Sequence, residues 1–451
     1  MDLQQFRTEL FARGRELGYA DMEVYYQADK STSVRVFKGE IDSYTVAEKA
    51  GLSFRGSIGG KMGYSFTERL DESSIEFLLT EARANAELLQ GGEIEELFGG
   101  SDQYPELDLY APELAKLDPS VLIEAAKEME RTALAVDPRV DLINYCMVTN
   151  SEAEVSIINT QGLDCTVKSS LVYGGLSAVA KDGEEVTSAL DSGFVTDDLA
   201  RLDFTGIATR AAKESVAKLG AQPVESGQYP VILRNNVAAQ LLNAFSEVFS
   251  GEAAEKGLSK LQGRVGDQVA GANITLVDDA LLPGGPGSVP FDSEGTATAR
   301  LEVIREGQLV TMLHNRKSAK KAGVSSTGNA VKGSYKSTVS IAPNNFVLQP
   351  GTKSLDELIA GTERGLMLVE LQGIHAGTNP VSGDFSLSCL GFLIEGGQVA
   401  RPVNQITVSG NFFDLLQSVE ELGNDLRFHA PGRGACGAPS IKIAALSIAG
   451  K

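Results

Sequence analysis

Apolar and polar positions alternate between two periods along the chain, and the switches mark out its elements. Near the start, Phe6, Leu10 and Leu17 fall on one face of an amphipathic helix over residues 1–17. Short alternating runs follow at 22–27, 32–39, 41–56 and 61–68, divided by glycines and charged turns as in a β-meander. Ile75, Leu78, Leu79 and Ala82 then repeat at helical spacing over 72–89. A polar, acidic connection spans 91–113. Asp118 before Pro119 predicts a capped helix over 119–136. Strands are expected at 140–151, 154–162 and 169–181, and a helix at 197–220.

The segment 221–230, with its Pro and Gly, reads as a boundary between domains 1–222 and 223–451. Beyond it come a strand at 231–235, a helix at 236–251, and a hairpin over 299–315 turning at Glu306-Gly307. Further strands are expected at 337–347, 366–371, 385–395, 405–409 and 440–450, with short helices at 316–323, 354–361 and 411–423. Regular βαβα alternation is missing, so the class is α+β: an N-terminal α/β meander domain and a glycine-rich, β-dominated C-terminal domain.

Composition narrows the function. The chain has 451 residues, 42% of them hydrophobic, and exceeds what one core sustains. Sixty acidic residues against 40 basic ones give a net charge of −20, which disfavours direct contact with nucleic acid or an anionic membrane. Four cysteines without a C-x-x-C pair make no disulfide framework and suit a reducing compartment. With no secretory h-region and no run of 18 apolar residues, a cytoplasmic protein is expected.

Chemical motifs are sparse. The stretch 432–437, GRGACG, matches the dinucleotide fingerprint, but a strand-like run follows where a helix is required. No P-loop or G-x-S-x-G elbow occurs. His314, His375 and His429 are dispersed, with no H-E-x-x-H pair to seize zinc. Cys389 is flanked by apolar residues, whereas Cys436 lies in a glycine-rich loop beside Arg433, a setting for a reactive thiolate. Between Gly373 and Val399, His375, Thr378, Ser382, Gly383 and Asp384 gather like the rim of an active site, and together with Cys436 they are the candidates for a peptide cleft. Ser382 and Asp384 also suit the shaping of a turn, and Gly383 suits the approach of a peptide backbone.

The motifs FDSEG (291–295), STGNA (326–330), SGDFSLSCLGFLIEGGQVARPV (382–403), GND (423–425) and CG (436–437) occur in an order that resembles the TldD/PmbA family, PmbA being also called TldE. The resemblance extends over essentially the whole chain. It implies kinship with a cytosolic metallopeptidase that cleaves unfolded peptides, a family also named for modulation of DNA gyrase. TldD-type chains carry H-E-x-x-x-H on a helix and a C-terminal cysteine as zinc ligands; PmbA-type chains lack the helix motif and join a TldD chain as a heterodimer. Here Leu242, Asn243 and Glu247 occupy the motif positions, and Cys436 matches the third-ligand region. Leucine ligates nothing, and an amide is no general base near neutral pH. No metal or cofactor is therefore expected in this chain, zinc being expected in a TldD-like partner. The alternatives are a hydrolase using Cys436 by itself and a homodimeric regulatory or binding protein.

Overall fold

The computed structural model describes residues 1–88 and 96–451. Residue 89 of the expected second helix and 91–95 of the expected connection lie outside the described residues. Within them no helix is long and apolar enough to cross a membrane. The class is α+β.

The first sheet is antiparallel, in the order Lys61–Thr67, Glu40–Ile58, Asp21–Phe37, Val140–Asn159, Asp164–Asp182, Glu185–Val195. Asp21–Phe37 is one 17-residue strand, where the sequence suggested two. The polar run between them interrupts burial and leaves the strand intact. Met22 and Val24 serve one core, with Phe6, Leu10, Phe54, Ile75 and Leu78 from the helices Leu3–Glu16 and Glu72–Leu88 and from the neighbouring strand. Val34 and Val36 serve another, with Leu122, Met129, Ile207 and Ala211 of the helices Pro119–Val136 and Phe204–Ala217. The polar middle merely spans the gap. In the same way 140–151 and 154–162 join into Val140–Asn159. Glu185–Val195, with its small and polar TSALDSG, carried too little hydrophobic alternation to be expected as a strand. The hairpin turn at Lys38-Gly39, with φ of 53° and 78°, is fixed from behind by the buried Glu130 carboxylate, which accepts from Lys38 N at 2.7 Å and Gly39 N at 2.6 Å.

The C-terminal half holds two further six-stranded sheets. One runs Gln308–Leu309, Arg300–Arg305, Leu276–Asp279, Asn345–Leu348, Ala435–Ala438, Arg427–Phe428. The other runs Gln398–Asn411, Asp384–Glu395, Arg364–Gln372, Gly227–Leu233, Ile441–Ala449, Val419–Leu422. Its first strand also pairs with Ile441–Ala449, which closes five strands into a barrel. The helix Asn235–Phe245 and the turn Ser246–Phe249 pack their apolar faces into the core that both sheets share.

Two ion networks tie the halves together. Asp191, 4% exposed on the first sheet, holds Arg210 at 2.7 Å and also pairs with Arg427 of the C-terminal half. Lys218, at the end of the helix Phe204–Ala217, reaches Glu370 at 2.8 Å and Glu214 at 3.3 Å, and Glu214 pairs in turn with Arg234. An apolar contact of Tyr25, Ile157, Leu163 and Cys165 with Phe291 completes the junction.

Candidate functional site

The motifs that lie far apart in sequence meet in a buried polar layer at this junction. Asp292 shapes the FDSEG loop: Oδ1 accepts from Glu294 N at 2.9 Å and Thr296 N at 3.0 Å, and Oδ2 from Ala330 N at 3.1 Å. The STGNA segment is thereby fastened to the FDSEG loop. Asp278, 1% exposed, accepts from Asn329 Nδ2 at 2.6 Å and from Asn344 N at 2.7 Å. Burial pushes its pKa up to about 6 against these hydrogen bonds. Glu294 accepts from Arg316 N at 2.8 Å, and burial together with the Asp292 charge pushes it up to about 7.

Arg433 stands over both aspartates without touching either. Its guanidinium donates to Asn344 Oδ1 at 3.1 Å, to Ala330 O at 3.2 Å and to Ser293 Oγ at 3.3 Å. Asn344 Nδ2 donates to Asp278 and Ala330 N to Asp292, so one intermediate group separates the cation from each anion. Arg433 Nε is shut off from solvent and has no acceptor among the described residues. Alongside, Lys332 Nζ donates to Ser53 Oγ at 2.7 Å and lies 4.6 Å from the centre of the Tyr25 ring. The neighbouring Arg55 pairs with Glu23 at 2.7 Å.

The expected cleft residues lie elsewhere. His375 is exposed on the short helix Ile374–Gly377, and Thr378 Oγ1 donates to Ile374 O at 2.8 Å. Ser382 Oγ accepts from Asp384 N at 3.3 Å, and Asp384 accepts from Asn411 Nδ2 at 2.8 Å, which holds its carboxyl below the usual range. These two residues build a turn. At Gly383 φ is +80° and a Cβ would lie 2.6 Å from the Phe413 ring, so the turn itself requires glycine there. Along Asp384–Glu395, Phe385, Leu387 and Cys389 point inward and Ser386 and Ser388 outward, so the serines of this stretch mark the solvent face of a barrel strand.

Cys436 corrects the hydrolase alternative. It is 0% exposed, on a strand parallel to Asn345–Leu348, and burial beside Asp278 drives its thiol well above the usual range. Among the described residues no histidine ring is hydrogen-bonded to it. The glycine-rich GRGACG run opens a strand, Ala435–Ala438, and carries no helix for a pyrophosphate.

The zinc-motif positions do not fit a metal. Leu242, 6% exposed, points into the core beside Leu233, Leu276, Leu348, Phe412 and Ile441, while Asn243 and Glu247 are exposed. The helix ends at Phe245, so Glu247 lies in the tighter turn Ser246–Phe249. Among the described residues no three His, Cys, Asp or Glu side chains converge to hold an ion. Leu242→Ala therefore costs about 2–4 kcal/mol of stability as a core truncation, whereas Asn243→Ala and Glu247→Ala stay within about 0.5 kcal/mol. Urea unfolding of the three variants checks this; equal losses at all three positions would contradict the assignment of faces.

Sequence reasoning quoted FDSEG and STGNA without giving them a role, and it missed Asp278, Asn344, Lys332 and Arg55. The motif spacing contained a usable signal for the first two segments, and Arg55 lies in the GLSFRG run (51–56) that belongs to the same family pattern.

Three family models match in succession: PmbA/TldA metallopeptidase domain 1 over residues 22–86, the central domain over 112–219 and the C-terminal domain over 226–450. A metalloprotease of Methanothermobacter thermautotrophicus is 26% identical over 437 residues, 93% of this chain and 90% of the relative. Metalloprotease PmbA of Escherichia coli O157:H7 is 28% identical, over 75% of this chain and 73% of the relative. Among solved structures, a candidate modulator of a DNA gyrase from Thermotoga maritima superposes with a TM-score of 0.91 at 32% identity, over 99% of this chain and 100% of that one. TldE from Thermococcus kodakarensis does so with a TM-score of 0.91 at 25% identity, with the same coverage. With almost every element matched in order, the chain belongs to the PmbA/TldD metallopeptidase family.

Proposed function

We propose that this chain is the PmbA/TldE-like subunit of a two-chain peptidase acting on unfolded peptides, in which a TldD-like partner supplies the zinc. The observation that carries this reading is Leu242. It places a core side chain at the first ligand position, opposite two exposed side chains and a thiol kept neutral by burial. One carboxylate and one protonated thiol on different faces fall short of the three protein ligands of a catalytic zinc site. The chain then contributes subunit surface and part of the enclosure around the peptide. The likeness to TldE, over the full length of both chains, is consistent with this division of labour.

Co-expression with a TldD-like chain tests it. The expected result is a heterodimer that degrades an unfolded peptide, loses that activity on chelation, and has its zinc on the partner subunit. This chain alone is expected to bind no stoichiometric zinc and to keep its melting temperature when chelator is added. Tight zinc binding by the isolated chain would overturn the reading.

A further inference from the structure

Beside the polar layer, a cleft of about 20 Å³ lies between the first sheet and the segment 332–339, lined by Glu23, Tyr25, Ser53, Arg55, Ser293 and Lys332. That volume admits a group the size of a water or a carboxylate, not a length of chain. The segment is held as a roof over the sheet. Tyr335 lies over Gly51, where a Cβ would come within 2.3 Å of its ring. The Tyr335 hydroxyl donates to Glu68 at 2.8 Å, and Lys336 reaches the same carboxylate at 2.6 Å.

Two cations and one carboxylate line the cleft, and the Glu23 charge acts on both Arg55 and Lys332. Glu23 is engaged by Arg55 at 2.7 Å and by Asn159 Nδ2 at 3.0 Å. Lys332 is a second cation, and among the described residues no carboxylate lies within ion-pair distance of it. Lys332 is half-buried, and of its three ammonium donors one is used by Ser53 Oγ, while the Tyr25 ring faces the charge. It stands out further in a chain whose net charge is −20.

We propose that this cleft binds a carboxylate group, with Lys332 supplying the charge and the remaining donors. Two sources share that chemistry: the C-terminus of a peptide and a free small acid. The peptide source rests on the peptidase reading above; the site itself does not. Burial and the Arg55 charge, opposed by the Glu23 charge, draw the Lys332 pKa down to about 8. Glu23, Tyr25, Arg55 and Tyr64 face the same space, and burial pushes Tyr25 upward. Binding is therefore strongest below pH 8 and fades as the ammonium loses its proton.

Calorimetric titration of the full chain with N-acetyl-trialanine, its C-terminal amide and acetate tests the proposal. The acid is expected to bind at least tenfold more tightly than the amide, and Lys332→Met to weaken the acid at least tenfold. Acetate binding as well as N-acetyl-trialanine would support the site and assign it to small acids, removing the peptide source without touching the two-chain reading. Should Lys332→Met fail to fold, the wild-type pH series decides: loss of binding with a midpoint near pH 8 supports the site, and affinity flat from pH 6 to 9.5 overturns it. Equal affinity for acid and amide, an unaffected Lys332→Met, or no heat from any of the three probes would also overturn it.

Discussion

Arg433→Met lowers stability by about 3 kcal/mol at pH 8 and by less at pH 5. The guanidinium serves two buried carboxylates through one intermediate each, Asn344 toward Asp278 and Ala330 toward Asp292. Methionine fills similar volume but leaves Asn344 Oδ1 and Ala330 O short of a donor and both aspartates without their nearby cation. The sign follows from linkage. Burial raises Asp278 from its ordinary 3.8 to about 6, so its favourable contribution is complete below pH 3.8 and is lost as pH rises through 6. Asp292 is raised for the same reason, and Arg433 opposes both shifts. Without the arginine both carboxyls hold their protons to higher pH. Where Asp278 is neutral the gap shrinks toward the pH-independent loss of the two hydrogen bonds, and it widens as pH climbs through 6. Urea unfolding at pH 5 and pH 8 measures it. An equal loss at both would reduce Arg433 to a packing residue.

Local pattern carried the expected elements where a single short-range interaction decides them. Residues 119–136 form the helix foreseen, because Asp118 accepts from Ser120 N at 2.8 Å and Pro119 opens the first turn. The hairpin turns at Glu306-Gly307, where both residues take the left-handed φ, 47° and 82°, that such a turn requires. Strand continuity was not legible, since the polar middle of Asp21–Phe37 reads like a turn until two separate cores are seen on one sheet. The polar layer was least legible of all. Asp278, Asp292 and Arg433 meet only because Leu276–Asp279, the FDSEG loop and the run before Ala435–Ala438 converge on the neighbourhood of Asn345–Leu348. The chemistry-rich stretch from Gly373 to Val399 forms a short helix, a turn and a barrel strand on which Ser386 and Ser388 face outward.

Gly63→Ala is expected to cost about 3–5 kcal/mol, beyond the usual range for overpacking. A Cβ at residue 63 would stand 1.7 Å from the carbonyl oxygen of Ala82, and that atom belongs to the backbone of the helix Glu72–Leu88. No rotamer relieves such a clash, so the helix must rise from the sheet. It is fastened there by Ser65 Oγ donating to Leu78 O, Tyr19 OH donating to Leu79 O and Asn85 Nδ2 donating to Tyr64 O, and it buries Ile75, Leu78 and Leu79 against Phe6, Leu10 and Phe54. Moving it by an ångström or more strains all of these at once. Gly59→Ala is the control. Its φ of +59° carries a backbone penalty of about 1 kcal/mol, but no atom lies within 4 Å of the added carbon. Urea unfolding followed by circular dichroism should place the residue-63 variant well below the residue-59 variant. If the two fall together, the close approach of helix to strand is not what makes glycine necessary at position 63.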